Sequence, residues 1–269
     1  MMSNVENDQI RQSVRQNYAS ISLKGTGCCC SSGSNCCGSE SSDLITEISQ
    51  RLGYSPTELG EVPDGANMGL GCGNPQAIAN LQPGEVVLDL GSGGGFDCFL
   101  AAKQVGPTGH VIGVDMTPEM VSKARKNAVT GGYHNVDFRL SEIENLPVAD
   151  NSVDVIISNC VINLSPDKQR VFNEAYRVLK PGGRLAISDV VASVPLPDEF
   201  RKEELYVACV AGASLIDDLE QMLQKAEFGN ICIQPKNESR EFIREWAPDR
   251  HIEDYVLSAS IEGIKPEAS

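Results

Sequence analysis

Histidine is scarce in this chain of 269 residues: there are only 3, at His110, His134 and His251, each isolated. None of the ten cysteines stands in a C-x₂-C pair either, so a structural zinc site has no sequence support and each histidine reads as a surface residue. Positive charge is also in deficit. With 22 Lys and Arg against 37 Asp and Glu, a net charge of −15 and no basic cluster, the surface that nucleic acid requires is missing, and a small-molecule partner is expected. No apolar run approaches the roughly 20 residues that span a bilayer. The first twenty residues are polar and mixed in charge, without the apolar stretch of a secretory signal, so no membrane association and a cytoplasmic protein are expected. In that reducing compartment, ten cysteines point to metal, metalloid or redox chemistry more than to a disulfide framework.

What the chain does have is a 41% hydrophobic composition, enough for a sizeable core. Residues 5–22 read as one amphipathic helix, with Ile10, Val14 and Tyr18 at fourfold spacing. A small, polar stretch from Gly25 to Gly38 holds Cys28, Cys29, Cys30, Cys36 and Cys37 and reads as a loop. Helical character returns over 43–52, and a turn-rich segment follows from Gly53 to Pro75. Apolar β-branched runs then alternate with helical ones. Strands are expected at 86–90, 111–114, 136–140, 153–158 and 184–189, with helices at 96–105, 118–130 and 166–179. Such alternation implies an α/β, doubly wound, mostly parallel sheet. Further helices are expected over 198–211 and 217–225, and closing strands near 230–235 and 255–261, with an antiparallel C-terminal strand.

The first of these strands, Val86-Val-Leu-Asp-Leu90, runs into Gly91-Ser-Gly-Gly-Gly95 and then a helix. Glycines let a backbone approach a ligand closely, although such a loop alone is also a tight strand-to-helix turn. Context strengthens the ligand reading. Asp115 ends the next strand about 20 residues on, where a carboxylate accepts hydrogen bonds from ribose hydroxyls. Asp89 lies just before the glycines, where it would repel a dinucleotide pyrophosphate but attract a cationic ammonium. The arrangement resembles class I S-adenosylmethionine methyltransferases. That resemblance implies that Asp89, Gly91, Ser92, Gly93 and Gly95 hold the methionine end of the cofactor, that Asp115 and Met116 take its ribose and adenine, that Glu142 and Ile143 read the adenine edge, and that Asn159 also contacts it.

Among the cysteines outside the cluster, Cys98 and Cys232 sit in apolar surroundings and read as small hydrophobes. Cys72, Cys160 and Cys209 lie in separate loop-like stretches and are candidates to converge on one pocket. The N-terminal cluster is compatible with a soft-metal arm, a redox relay or a solvated loop.

The segments Gly69-Leu-Gly-Cys-Gly-Asn-Pro75, Ser158-Asn-Cys-Val-Ile-Asn-Leu-Ser-Pro-Asp-Lys168 and Cys209-Val-Ala-Gly-Ala213, with the glycine loop, resemble the arsenite S-adenosylmethionine methyltransferases over nearly the whole chain. The resemblance implies trivalent arsenic held by thiolates of Cys72, Cys160 and Cys209. It divides the chain into an N-terminal helix, cysteine-rich arm and arsenic-binding segment (1–75), a Rossmann core that binds the cofactor (76–192), and C-terminal arsenic-binding helices with closing strands (193–269). It also implies arsenite or its thiol conjugate as substrate, detoxification as the purpose, and thioredoxin or glutathione as the reductant, in a protein expected to be a monomer. A soft semimetal prefers sulfur, and its lone pair attacks the sulfonium methyl without a base, so no catalytic histidine or carboxylate is expected near Asn159. Two rival readings are a C- or O-methyltransferase of quinone or sterol type, which needs none of these thiols, and a non-catalytic metalloid-binding protein.

Overall fold

The computed structural model describes residues 4–24, 40–200 and 209–267. The five N-terminal cysteines lie outside the described residues. Seven strands form one sheet in the order β3-β2-β1-β4-β5-β7-β6. They are β1 (Val86–Leu90), β2 (His110–Asp115), β3 (Val136–Leu140), β4 (Val153–Asn159), β5 (Leu179–Ala192), β6 (Gly229–Lys236) and β7 (Val256–Ile264). The first five are mutually parallel, and β7 runs antiparallel to both of its neighbours. The expected mostly parallel, doubly wound sheet with an antiparallel C-terminal strand is therefore present.

Central strands covered on both faces read as unbroken apolar runs, and Val87 to Leu90 in β1 are all buried. One face packs under α5 (Phe96–Val105) and α6 (Pro118–Gly131), through Phe99, Val121 and Ala124. The other packs under α7 (Lys168–Val178) and the helix Ile216–Lys225, through Val171, Phe172, Leu219 and Leu223. Because the strand order reverses between β1 and β4, the connections leaving these two strands diverge to opposite faces. A crevice opens at their carboxyl ends, where open α/β sheets bind ligands.

The N-terminal helix α1 (Asn4–Lys24) buries Val14, with Ile10 and Tyr18 packed beside it, as their spacing predicts. A second helix, α2 (Glu40–Arg51), precedes the turn-rich segment, and a single turn, α4 (Gln76–Ala79), follows it. That segment contains a short helix the sequence reading missed, α3 (Pro56–Gly60), whose start is closed by a reciprocal capping box between Ser55 and Glu58. The helix expected over 198–211 is not continuous. A 3₁₀ turn occupies Asp198–Phe200, residues 201–208 lie outside the described residues, and Cys209 has a φ of 61°, which a right-handed helix does not admit. Cys232, expected to be an apolar filler, is only half-buried because β6 is the sheet's edge.

Candidate active site

The crevice is a cleft of about 1030 Å³, counting its open mouth. At one end the glycine loop sets the backbone against neighbouring elements. Gly91 has a φ of 75°, and a Cβ there would meet the Val161 side chain at 2.3 Å, so no other residue fits. Gly93 N–H donates to Asp115 Oδ2 (3.0 Å) and Thr117 N–H to its Oδ1 (2.8 Å), which fixes the carboxylate at the tip of β2. Of the residues expected to hold a cofactor, Asp89, Gly91, Ser92, Gly93, Asp115, Met116, Ile143 and Asn159 line the cleft. Gly95 instead starts α5 in the left-handed conformation and is not among the lining residues. Glu142 is not among them either. Its carboxylate faces Arg11 (3.5 Å) and Arg15 (3.4 Å) on α1, and Glu144, two residues on, lines the cleft.

The floor of this end is acidic and dry. Asp89 and Asp97 are both buried, Asp89 accepting from Cys98 Sγ (3.2 Å) and Asp97 from Tyr54 Oη (2.8 Å). Desolvation pushes Asp97 up to about 6 and holds Asp89 well above the usual carboxylate range. A cationic ammonium would relieve both. Ser92 Oγ is buried in the same wall without a hydrogen-bond partner among the described residues. An ammonium-bearing nucleoside such as S-adenosylmethionine therefore fits this end by charge, by the carboxylate held at the tip of β2 and by the Ser92 hydroxyl.

Toward the other end, Asn159 closes β4 and Cys160 follows with a φ of 59°. The Cys160 N–H donates to Ser188 O (2.8 Å), and Cys209 Sγ to Cys160 O (3.0 Å). Cys72 is docked by Ser258 Oγ, which donates to its carbonyl at 2.7 Å. The Cys160 thiol lies within hydrogen-bonding reach of both other thiols. Three sulfurs more than forty residues apart in sequence thus meet in one apolar cluster, with Cys160 in the cleft wall and Cys72 and Cys209 behind it. Cys160 and Cys209 are both held in the left-handed region, a cost of about 1–2 kcal/mol each that the surrounding packing sustains. Burial raises the Cys72 thiol, and it raises Cys160 further with the neighbouring sulfurs adding to it.

Two carboxylates stand close to this end of the cleft, neither with a shown part in the chemistry. Asp97 reaches Asn159 through Tyr54, whose hydroxyl accepts from the amide Nδ2 at 3.0 Å. A donor atom of Asp189 lies within 4.8 Å of those of Cys72 and Cys160. Asp189 is pinned by Ile162 N–H (2.8 Å), Val190 N–H (2.7 Å) and Asn163 Nδ2 (2.9 Å), and desolvation raises it to about 6. Lys168 faces Asp189 and Cys209, and desolvation lowers its ammonium to about 8. These groups were not singled out from the sequence, because strand-internal Asp189 carries no motif and Lys168 only ends the segment read for Cys160. Their position follows only from the pairing of β4 with β5.

Helix α1 roofs the cleft with Arg11, Val14 and Tyr18. Arg11 grips the buried Glu144 at 2.8 Å, and Ser165 Oγ donates to the same carboxylate oxygen at 2.8 Å.

A methyltransferase-domain family matches residues 81–227. The arsenite methyltransferase of Halobacterium salinarum is 54% identical over 99% of this chain and 69% of its own length. This chain belongs to the arsenite methyltransferase family. Family members from Aquipseudomonas alcaligenes and Homo sapiens are 48% and 43% identical over 59% of the chain, and the matched segments span 47% and 44% of those proteins, less than half their length. Among solved structures, the arsenic(III) S-adenosylmethionine methyltransferase of Chlamydomonas reinhardtii aligns at a TM-score of 0.60 with 36% identity, over 82% of this chain and 73% of that one. As an arsenite methyltransferase family member with this fold, the chain is an S-adenosylmethionine-dependent enzyme. Among the described residues, no helix is long and apolar enough to cross a membrane.

Proposed function

We propose that the protein methylates trivalent arsenic, taken up as arsenite or its thiol conjugate, with Cys72, Cys160 and Cys209 as the arsenic ligands. The observation that carries this reading is the meeting of three thiols from remote segments beside a cleft with an acidic, ammonium-ready floor. Asp89, Ser92 and the Gly91–Gly95 turn would hold the amino-acid end of S-adenosylmethionine, Asp115 its ribose, and Met116 with Ile143 its adenine. Bound S-adenosylmethionine supplies an electrophilic sulfonium methyl, which the arsenic lone pair takes up as S-adenosylhomocysteine departs.

The protein's own contribution is placement. Three sulfurs occupy three arsenic valences and leave the lone pair directed into the cleft, and alignment of this kind is worth roughly 7–11 kcal/mol in favourable cases. Soft sulfur matches soft arsenic where a serine hydroxyl would not. Arsenite binding to three thiols releases three waters, so each thiol proton leaves on an arsenic hydroxide and no base need store it. Methylation formally oxidises arsenic. Two electrons then come from protein cysteines, and a thiol reductant such as thioredoxin or glutathione restores them. Cys72 and the N-terminal cysteines, which lie outside the described residues, are the proposed relay. The enzyme is proposed to act in detoxification, as a cytoplasmic monomer.

Liquid-chromatographic speciation of arsenic after incubation with arsenite, S-adenosylmethionine and a thiol reductant tests the function. Methylated arsenicals are expected, and arsenite returned unchanged by folded, cofactor-binding protein would refute it. Replacing Cys28, Cys29, Cys30, Cys36 and Cys37 together by serine should slow multiple turnover. Undiminished turnover would remove the arm from the mechanism.

A further inference from the structure

The two ends of the cleft are joined by one chain of hydrogen bonds that the chemistry above does not use. Asp97, in the cofactor floor, accepts from Tyr54 Oη at 2.8 Å. The Tyr54 oxygen accepts in turn from Asn159 Nδ2 at 3.0 Å. The same amide donates to Gly73 O (2.8 Å) and accepts through Oδ1 from Cys72 N–H (3.1 Å). There is no slack in this loop. A Cβ on Gly71 would stand 2.8 Å from both polar atoms of the Asn159 amide, and one on Gly73 would stand 2.1 Å from Ser188 Oγ. Rotation of Asn159 therefore breaks the hydrogen bond that holds the Cys72 N–H.

The sense of each bond depends on the one before it. A phenol has a single proton, and while Asp97 is a charged acceptor that proton stays committed to it. The phenol oxygen is then free to accept from Asn159, which fixes the amide with its oxygen toward Cys72. An ammonium seated against the acidic floor keeps Asp97 charged.

We propose that Tyr54 is a positioning residue that couples the cofactor end of the cleft to the thiol end, so that the arsenic ligands are set once the cofactor's ammonium is in place. This rests on the functional reading above. Coupling is reciprocal, so arsenite must tighten the cofactor product by the same factor that the product tightens arsenite.

The test uses the full chain with the five N-terminal cysteines replaced by serine, so that the cluster does not compete for arsenite. Trp246, the sole tryptophan, packs on the cluster that holds the three thiols, and its fluorescence follows arsenite binding with and without S-adenosylhomocysteine. At about pH 5.3, where an Asp97 raised to about 6 is mostly protonated until the ammonium arrives, S-adenosylhomocysteine should tighten arsenite binding by about fivefold. Tyr54→Phe keeps the ring and its edge contact with Phe96 at 4.8 Å but removes the relay. In that variant the factor should fall to within about twofold of one, with S-adenosylhomocysteine alone still bound near parental affinity. A factor preserved in Tyr54→Phe, or absent from the parent, overturns the coupling. Failure of arsenite to bind the parent at all would instead bring down the functional reading on which the coupling rests.

Discussion

The cofactor end and the thiol end of the cleft are built in opposite ways. The first is assembled mainly from one continuous stretch, β1 through the tip of β2, in which Asp89, the glycine turn and Asp115 lie within thirty residues of each other. It is polar, and its signature is backbone geometry. The second takes one sulfur each from residues 72, 160 and 209, sits among apolar side chains with Asp189 beside the sulfurs, and is held by left-handed turns. A local site tolerates little change in backbone but can be read from a motif. A convergent site depends on side-chain identity at a few points and on the whole sheet to bring them together.

The contrast can be broken most severely at the sulfurs. Cys160→Ser or Cys209→Ser should lower methylation by more than about 100-fold, because hydroxyl is a poor ligand for soft arsenic, while S-adenosylmethionine binding measured by calorimetry stays intact. Cofactor binding lost along with activity would mean that the thiols are structural, and the two ends would not be separable. The converse change is Gly91→Ala. With a φ of 75° and Val161 at 2.3 Å from the new Cβ, it should cost about 2–4 kcal/mol of stability and cofactor affinity together. Thermal unfolding and cofactor titration would expose a neutral outcome, which would contradict the close packing of the turn.

Acidity should sharpen the difference. Asp97 must be charged to hold an ammonium, and its value is raised to about 6, so cofactor affinity should fall by up to about tenfold per pH unit below 6. The same raised value means that the unliganded fold gains from Asp97 protonation below its unfolded value and loses that gain as pH rises through 6. S-adenosylhomocysteine should therefore raise the melting temperature more at pH 7 than at pH 5.5. In Tyr54→Phe, where Asp97 is uncoupled from the thiols, arsenite binding exchanges thiol protons for water and should change little over that range, since burial keeps Cys72 and Cys160 protonated. Equal pH dependence of the two ligands in calorimetry would abolish the distinction. The smallest effect belongs to the roof. Arg11→Ala removes the grip of α1 on Glu144 and should cost about 1 kcal/mol, seen as faster cofactor release in stopped flow with little change in arsenite affinity. An unchanged release rate would show that α1 does not retain the cofactor.

The strands and the glycine turn were legible because they obey short-range rules. A β-branched run covered on both faces, a positive φ that only glycine accepts and an acidic strand end each leave a mark within a few residues. Within the loop expected to read the adenine edge, Glu144 lines the cleft and Glu142 does not. The side a loop residue faces depends on what packs over it, here Arg11 and Arg15 from a helix more than 120 residues earlier. The helix expected over 198–211 yields at Cys209 for a similar reason. The turn serves the thiol's contact with Cys160 rather than the local helical preference.

The sequence alone determined the sheet's composition, the cofactor loop and the short roster of thiols able to bind a soft element, since each follows from residue type and near spacing. Tertiary structure decided which carboxylates attend them. Asp97, Tyr54 and Asn159 form one chain, and Asp189 and Lys168 join the sulfurs, only because β4 lies between β1 and β5. Strand order is fixed by burying both faces of the sheet at once, a condition set by the entire chain and not by any one segment of it.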